Sequence, residues 1–215
     1  MHIVAIDGPA GSGKSSVSKA AARKLEFGYL DTGAAYRALT WFISVKDIEL
    51  SRVDRTFLID SFQYSISLDP DNYWVKVGGT DVTYEIRTAK IGEQVSAIAS
   101  VAAVREYMLE LTHGLVNTAN YQGIIVEGRD ITTVVFPKAP TKILLTASEE
   151  VRLGRRSAEL PEGISIAEQI TRRDQNDSKV VDFLSPAPGV ELVDSTELDF
   201  DSTVEAICRI IERNK

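Results

Sequence analysis

A chain of 215 residues in which 44% are apolar and 26% charged is long enough for one compact core, or a core with an inserted subdomain. It has the balance of an ordinary globular protein rather than a disordered or membrane-bound one. Lys plus Arg number 24 against 31 Asp plus Glu, a net charge of −7, so no global positive field exists to hold a nucleic-acid polymer, and a small anionic substrate needs a local basic cluster.

The chain opens on MHIVAIDGPAG, a strand running straight into a glycine turn. It lacks the apolar stretch of a signal peptide and the length of a membrane span, which makes the cytoplasm the expected location. Gly8-Pro9-Ala10-Gly11-Ser12-Gly13-Lys14-Ser15 fits G-x-x-x-x-G-K-[ST] between a predicted strand at 2–6 and a predicted helix at 16–25, the setting in which that pattern cradles phosphate. The glycines let backbone N–H groups face the β-phosphate, and the helix N-terminus adds its positive end. Lys14 is expected to bridge the β- and γ-phosphates and Ser15 to ligate Mg²⁺. The expected ATP-binding set is Gly8 to Ser15 together with Ser16. The loop alone does not say what is done with the nucleotide, because GTPases, motor ATPases and small-molecule kinases share it.

Further apolar runs at 28–30, 124–126, 142–146 and 190–193, each followed by turn residues and mostly by helical patterns, predict a five-stranded parallel sheet with helices on both faces. Ligands in such sheets bind outside the carboxyl ends of the strands. After the second run, a helix starts near Thr32 or Gly33 and Arg37 lies about one turn along it; Thr32 as an N-cap and Arg37 as a solvated arginine are the plainer alternatives. Runs at 62–68, 73–77 and 80–83 around DPDN and GG predict an antiparallel meander, placed in an inserted subdomain at 61–100. IIVEGRD then sets Glu127, Arg129 and Asp130 at the sheet's ligand edge. Glu127 can hold an Mg²⁺-bound water or pair with Lys14 or Arg129. The charge-dense stretch 152–180 reads as a helical lid around a Pro-Gly loop. Its arginines, Arg155 or Arg156, either reach the transferred phosphoryl group or only form solvated helix pairs, for which Glu149 with Arg152 has the spacing. The core is left with 1–60, 101–151 and 181–215. Val204, Ile207, Cys208 and Ile211 follow helical spacing, which makes the single cysteine a core thiol. His2 and His113 lack metal-ligand spacing, and Trp41 and Trp74 suit packing.

The blocks IDGPAGSGKSS, YLDTGAAYRALT, YEIRT, VREYM, EGRDITTVVFPKAPTKILLTAS and RRDQNDS resemble, in order and spacing, the bacterial cytidylate kinase family, a P-loop nucleoside monophosphate kinase family. The resemblance spans nearly the whole chain. It implies an α/β kinase core with an inserted monophosphate-binding subdomain and a lid, and transfer of the γ-phosphoryl group of ATP to CMP or dCMP with Mg²⁺. A monomer is the family expectation. By the same resemblance Thr32, Arg37, Arg129 and Arg173 surround the acceptor phosphate, Ser96, Arg105 and Asp130 read cytosine, and Asp177 binds the ribose hydroxyls. Lys14, Arg129, Arg173 and Arg155 form the catalytic set. The base-reading set suits cytosine, because a carboxylate accepts from N4 and an arginine donates to N3 and O2, whereas uracil reverses the first two. Two positions depart from the family pattern: Val180 replaces an arginine, with Lys179 beside it as a candidate substitute, and Thr132 replaces a glycine. The competing readings are a P-loop kinase for another monophosphate or a small hydroxylated metabolite, and a nucleotide-dependent binding module that hydrolyses ATP slowly.

Overall fold

The computed structural model describes the backbone of residues 1–159 and 185–215, and the side chains of 1–155 and 185–215. The apolar runs become the five-stranded sheet that their spacing predicts, from β1 (His2–Asp7), β2 (Gly28–Asp31), β6 (Gly123–Gly128), β7 (Thr141–Thr146) and β8 (Glu191–Asp194), in the order β2-β6-β1-β7-β8. β1 lies parallel to β6 with Val4 beside Ile125, and parallel to β7 with Val4 beside Thr141. Val4, Ala5, Ile6, Ile124, Ile125, Val126, Ile143 and Leu145 are wholly buried, the unbroken apolar run of strands covered on both faces.

The chain divides into two compact units, Met1–Leu30 with Asn120–Lys215, and Asp31–Ala119. In the first, helix α1 (Lys14–Leu25) packs against the last helix, α7 (Phe200–Arg213). Ala21 and Ala22 of α1 are buried, as are Val204, Ile207, Cys208 and Ile211 of α7, so Cys208 is the core thiol that its helical spacing predicts. Exposed Lys24 and Glu205 pair on the same two helices. Helix α6 (Glu149–Glu159) follows β7.

In the second unit, α2 (Thr32–Lys46) packs against α4 (Ala89–Ala99) and α5 (Ala102–Thr118), with α3 (Arg55–Ser61) also against α5. Strands β3 (Tyr64–Ile66), β4 (Val75–Val77) and β5 (Thr80–Asp81) form a separate antiparallel sheet joined at one end by Gly78-Gly79. They are shorter than the runs 62–68, 73–77 and 80–83. Ser67 Oγ accepts from the Asp69 amide and Asp69 Oδ1 from the Asp71 amide; such local bonds draw the backbone out of a ladder.

Candidate active site

The phosphate loop runs from the end of β1 into α1, which begins at Lys14, two residues before the predicted start. Gly13 caps the helix at φ 83°, in the left-handed region, and its carbonyl accepts from the Val17 amide; this conformation is cheap only for glycine. At Gly8 the need is different. A Cβ there would overlap the carbonyl oxygen of Leu145 on β7, so the loop leaves the sheet flush against its neighbouring strand. Lys14 Nζ donates to the Pro9 carbonyl at 3.3 Å, inside its own loop, and Ser15 is half-buried.

Three guanidinium groups hold the loop's carbonyls. Arg129 Nη1 donates to the Gly8 carbonyl at 2.9 Å, Arg152 Nη1 to that of Ala10 at 2.9 Å, and Arg155 Nη1 to that of Ser12 at 3.1 Å. Arg155 also bonds the Ser195 hydroxyl (3.0 Å) and carbonyl (2.9 Å). Carbonyl oxygens turned toward cations leave the loop's N–H groups for an anion and put three positive charges around it. The sequence offers Arg129, and Arg155 or Arg156, as phosphate-facing residues; in the structure Arg129 and Arg155 bond the carbonyls of the loop, and Arg152 joins them.

Beyond β6, Ile131–Val135 forms one wide turn, closed by the Val135 amide on the Asp130 carbonyl (3.0 Å) and the Phe136 amide on that of Ile131 (2.7 Å). Such five-residue turns recur at functional sites. Buried Asp7, the last residue of β1, anchors it. One carboxylate oxygen accepts from the Ile131 amide (2.8 Å), the other from the Thr132 amide (2.9 Å) and the Thr132 hydroxyl (2.6 Å). Burial pushes the Asp7 carboxyl above its ordinary value, opposed by these bonds and by the charge of Lys14. Thr132, the departure from the family glycine, is itself buried and has its hydroxyl on Asp7. Arg129 and half-buried Asp130 are thus carried between β6 and an anchored turn. Glu127, 1% exposed, accepts from the Tyr29 hydroxyl at 2.6 Å, a partner that nothing in the sequence indicates.

Of the other predicted acceptor residues, Thr32, Arg37, Ser96 and Arg105 lie in the second unit. Asp31, not Thr32, is the N-cap of α2: its Oδ1 accepts from the Ala34 amide at 3.0 Å. Thr32 is the first helical residue and is buried. Arg37 is not a solvated arginine but 6% exposed, with Nη1 on the Ile86 carbonyl at 3.2 Å. A Cβ on Gly92 would lie 3.5 Å from Arg37 Nη1; Ser96, four residues on in α4, shares that helix face. Arg105 is exposed on α5. Arg173 and Asp177, like Arg156, Lys179 and Val180, lie outside the described side chains.

A model of the cytidylate kinase family matches residues 4–213. The chain belongs to that family. A protein named cytidylate kinase from Streptomyces avermitilis is 42% identical over 99% of this chain and 94% of its own length. Another so named from Cutibacterium acnes is 40% identical over 97% and 95%. Among solved structures, TT1252 from Thermus thermophilus is similar with a TM-score of 0.50 at 20% identity over 97% of this chain and 96% of its own. A shikimate kinase from Bacteroides thetaiotaomicron reaches 0.52 at 16% over 98% of each. These two likenesses concern the fold alone, which is that of P-loop kinases. The cytidylate kinase family makes the chain an enzyme of ATP-dependent phosphoryl transfer. No helix among the described residues is long and apolar enough to cross a membrane.

Proposed function

We propose that the protein transfers the γ-phosphoryl group of ATP to CMP, and to dCMP, giving CDP or dCDP and ADP. The observation that carries this reading is the phosphate loop with Arg129 on its first carbonyl and Asp130 next in sequence, in a chain 42% and 40% identical, nearly end to end, to two proteins named cytidylate kinase. Phosphoryl transfer of this kind asks little of a base, because the acceptor phosphate oxygen is already ionised; the protein aligns the partners and offsets their repulsion. Lys14 and the loop amides hold the β- and γ-phosphates. Thr32, Arg37, Arg129 and Arg173 hold the acceptor phosphate, Ser96, Arg105 and Asp130 read the base, and Asp177 takes the ribose. Arg155 serves the transferred group through the loop it shapes.

The chain's own residues suit Mg²⁺ bound largely by phosphates and water, because the loop offers the Ser15 hydroxyl and the strand ends offer Glu127, while no cluster of three metal-ligating side chains exists among the described residues. That ion keeps most of its waters and takes few protein ligands; bound with ATP, it would neutralise charge on the β- and γ-phosphates. The inserted segment 61–100 as monophosphate-binding subdomain and 152–180 as lid complete the reading of a monomeric cytoplasmic enzyme. The test is a coupled assay of ADP formation with CMP, dCMP, UMP, AMP or no acceptor. CMP and dCMP are expected to drive ADP release far above the acceptor-free rate. Equal release without acceptor overturns the kinase reading, and preference for AMP overturns the cytosine assignment.

A further inference from the structure

Both ends of the phosphate loop take their bearing from the end of β7, by different means. Gly8 sits directly against the Leu145 carbonyl. The far end is reached through two side chains. Ser195, the residue after β8, is wholly buried, and both its amide and its hydroxyl donate to the carbonyl of Thr146, the last residue of β7, at 2.9 Å. A hydroxyl has one proton; with that proton on Thr146, the oxygen can only accept from Arg155. Arg155 Nη1 donates to it at 3.0 Å and to the Ser12 carbonyl at 3.1 Å, while Nη2 meets the carbonyls of Ser195 at 2.9 Å and Leu198 at 3.4 Å. Each terminal nitrogen carries two N–H groups, so four donors face four acceptors. All but the Ser12 carbonyl belong to one turn, which the Leu198 amide closes on the Ser195 carbonyl. A Cβ on Gly13 would lie 3.7 Å from Arg155 Nη1, which puts the guanidinium where the loop becomes α1.

We infer that Ser195 is a positioning residue for ATP, acting through Arg155. Its hydroxyl fixes the guanidinium to the frame of β7 and β8. The guanidinium in turn keeps the Ser12 carbonyl on a cation, so the amides of that stretch stay set for phosphate before ATP arrives. The arginine alone would not do this. A long cationic side chain beside a triphosphate is drawn to the phosphate oxygens themselves, and Arg155 released to them would let go of the Ser12 carbonyl. Held by the turn, it shapes the loop instead of competing for the ligand. This rests on the reading of the loop as the seat of ATP's phosphates.

The test is calorimetric titration with ATP, no acceptor present, of Ser195→Ala, Arg155→Ala and the double variant. Ser195→Ala is expected to raise Kd about 10-fold, the scale of one hydrogen bond to a charged group. In the Arg155→Ala background the same substitution should change Kd less than about 3-fold, because its effect passes through the guanidinium. An equal rise in both backgrounds, or no rise when Arg155 is present, overturns the proposal; the first outcome makes Ser195 only a tie between β7 and β8. In turnover, KM for ATP should rise with Kd while kcat changes less than about 3-fold, and a fall in kcat at unchanged KM overturns it too. A crystal structure of Ser195→Ala without nucleotide reads the geometry directly: Arg155 off the Ser12 carbonyl supports the proposal, and Arg155 still on it overturns it. If Ser195→Ala does not fold, Ser195→Cys, which offers a poorer acceptor, serves for every measurement. Failure of the wild-type protein to bind ATP would sink the reading of the loop instead, leaving the crystal structure to judge the clamp.

Discussion

Thr132 shows how one side chain settles a question that its position raises. In place of a glycine it adds a hydroxyl, and that hydroxyl lies 2.6 Å from a buried carboxylate oxygen. Thr132→Val keeps the shape and removes the bond. A hydrogen bond to a charged group contributes roughly 1.5–3 kcal/mol, and at about 2–4 °C per kcal/mol for a chain of this size thermal unfolding should move down by about 3–12 °C. The pH dependence has a definite sign. Folding raises the Asp7 carboxyl, so its ionisation disfavours the folded state increasingly as pH rises above the unfolded value, about 3.9. Thr132→Val raises it further. The gap between variant and wild type is therefore full only where pH lies above both raised folded-state values, closes as pH falls through them, and is smallest by about pH 4; a gap independent of pH, read by calorimetry, would show that the hydroxyl does not bond the ionised group. Asp130 gives the specificity test: Asp130→Asn should lower kcat/KM for CMP more than for UMP, in the coupled assay, because an amide can donate where a carboxylate cannot. The opposite order would remove Asp130 from base reading.

At the scale of elements, the strand ends and the phosphate loop were legible because both are local. Unbroken apolar runs and a spaced Gly-Lys-Ser pattern are written in consecutive residues. What holds them was not legible. Asp7 meets Thr132 across 125 positions, Arg155 meets Ser12 across 143, and Arg87 meets Asp31 across 56; no periodicity encodes such pairs. The N-cap of α2 fell one residue from Thr32 because Asp31 and Thr32 are both good caps, and only the fold shows which one turns back onto the helix. The loop itself yields a prediction at this scale. Gly8 lies against the Leu145 carbonyl of β7, a backbone atom that cannot swing aside. Gly8→Ala must lift the loop off the strand and so strain the Arg129 bond to the Gly8 carbonyl. We expect kcat/KM for ATP to fall about 100-fold or more, since misplacement by an ångström costs about that much. Wild-type turnover in that variant would mean that the loop does not need its seat on β7.

At the scale of the molecule, the residues proposed for the acceptor fall in two compact units, Arg129 and Asp130 in one and Thr32, Arg37, Ser96 and Arg105 in the other. Their order along the chain was readable; which of them pack together within a unit needed coordinates. The α1–α7 pair has a use of its own. Cys208 is the only cysteine in 215 residues, 2% exposed, and its thiol is pushed up by burial, so neither access nor thiolate is available to an alkylating reagent in the native state. Modification must wait for α7 to leave α1, the helix that opens at Lys14. ATP at 100 times its dissociation constant should deepen that opening by about 2.7 kcal/mol, slowing labelling by roughly 100-fold if the helices separate only when the loop is lost. Unchanged labelling under saturating ATP would mean that α7 frays on its own. The protein thus carries a natural single-site clock, in which the rate of thiol modification reports how often its nucleotide-holding half comes apart.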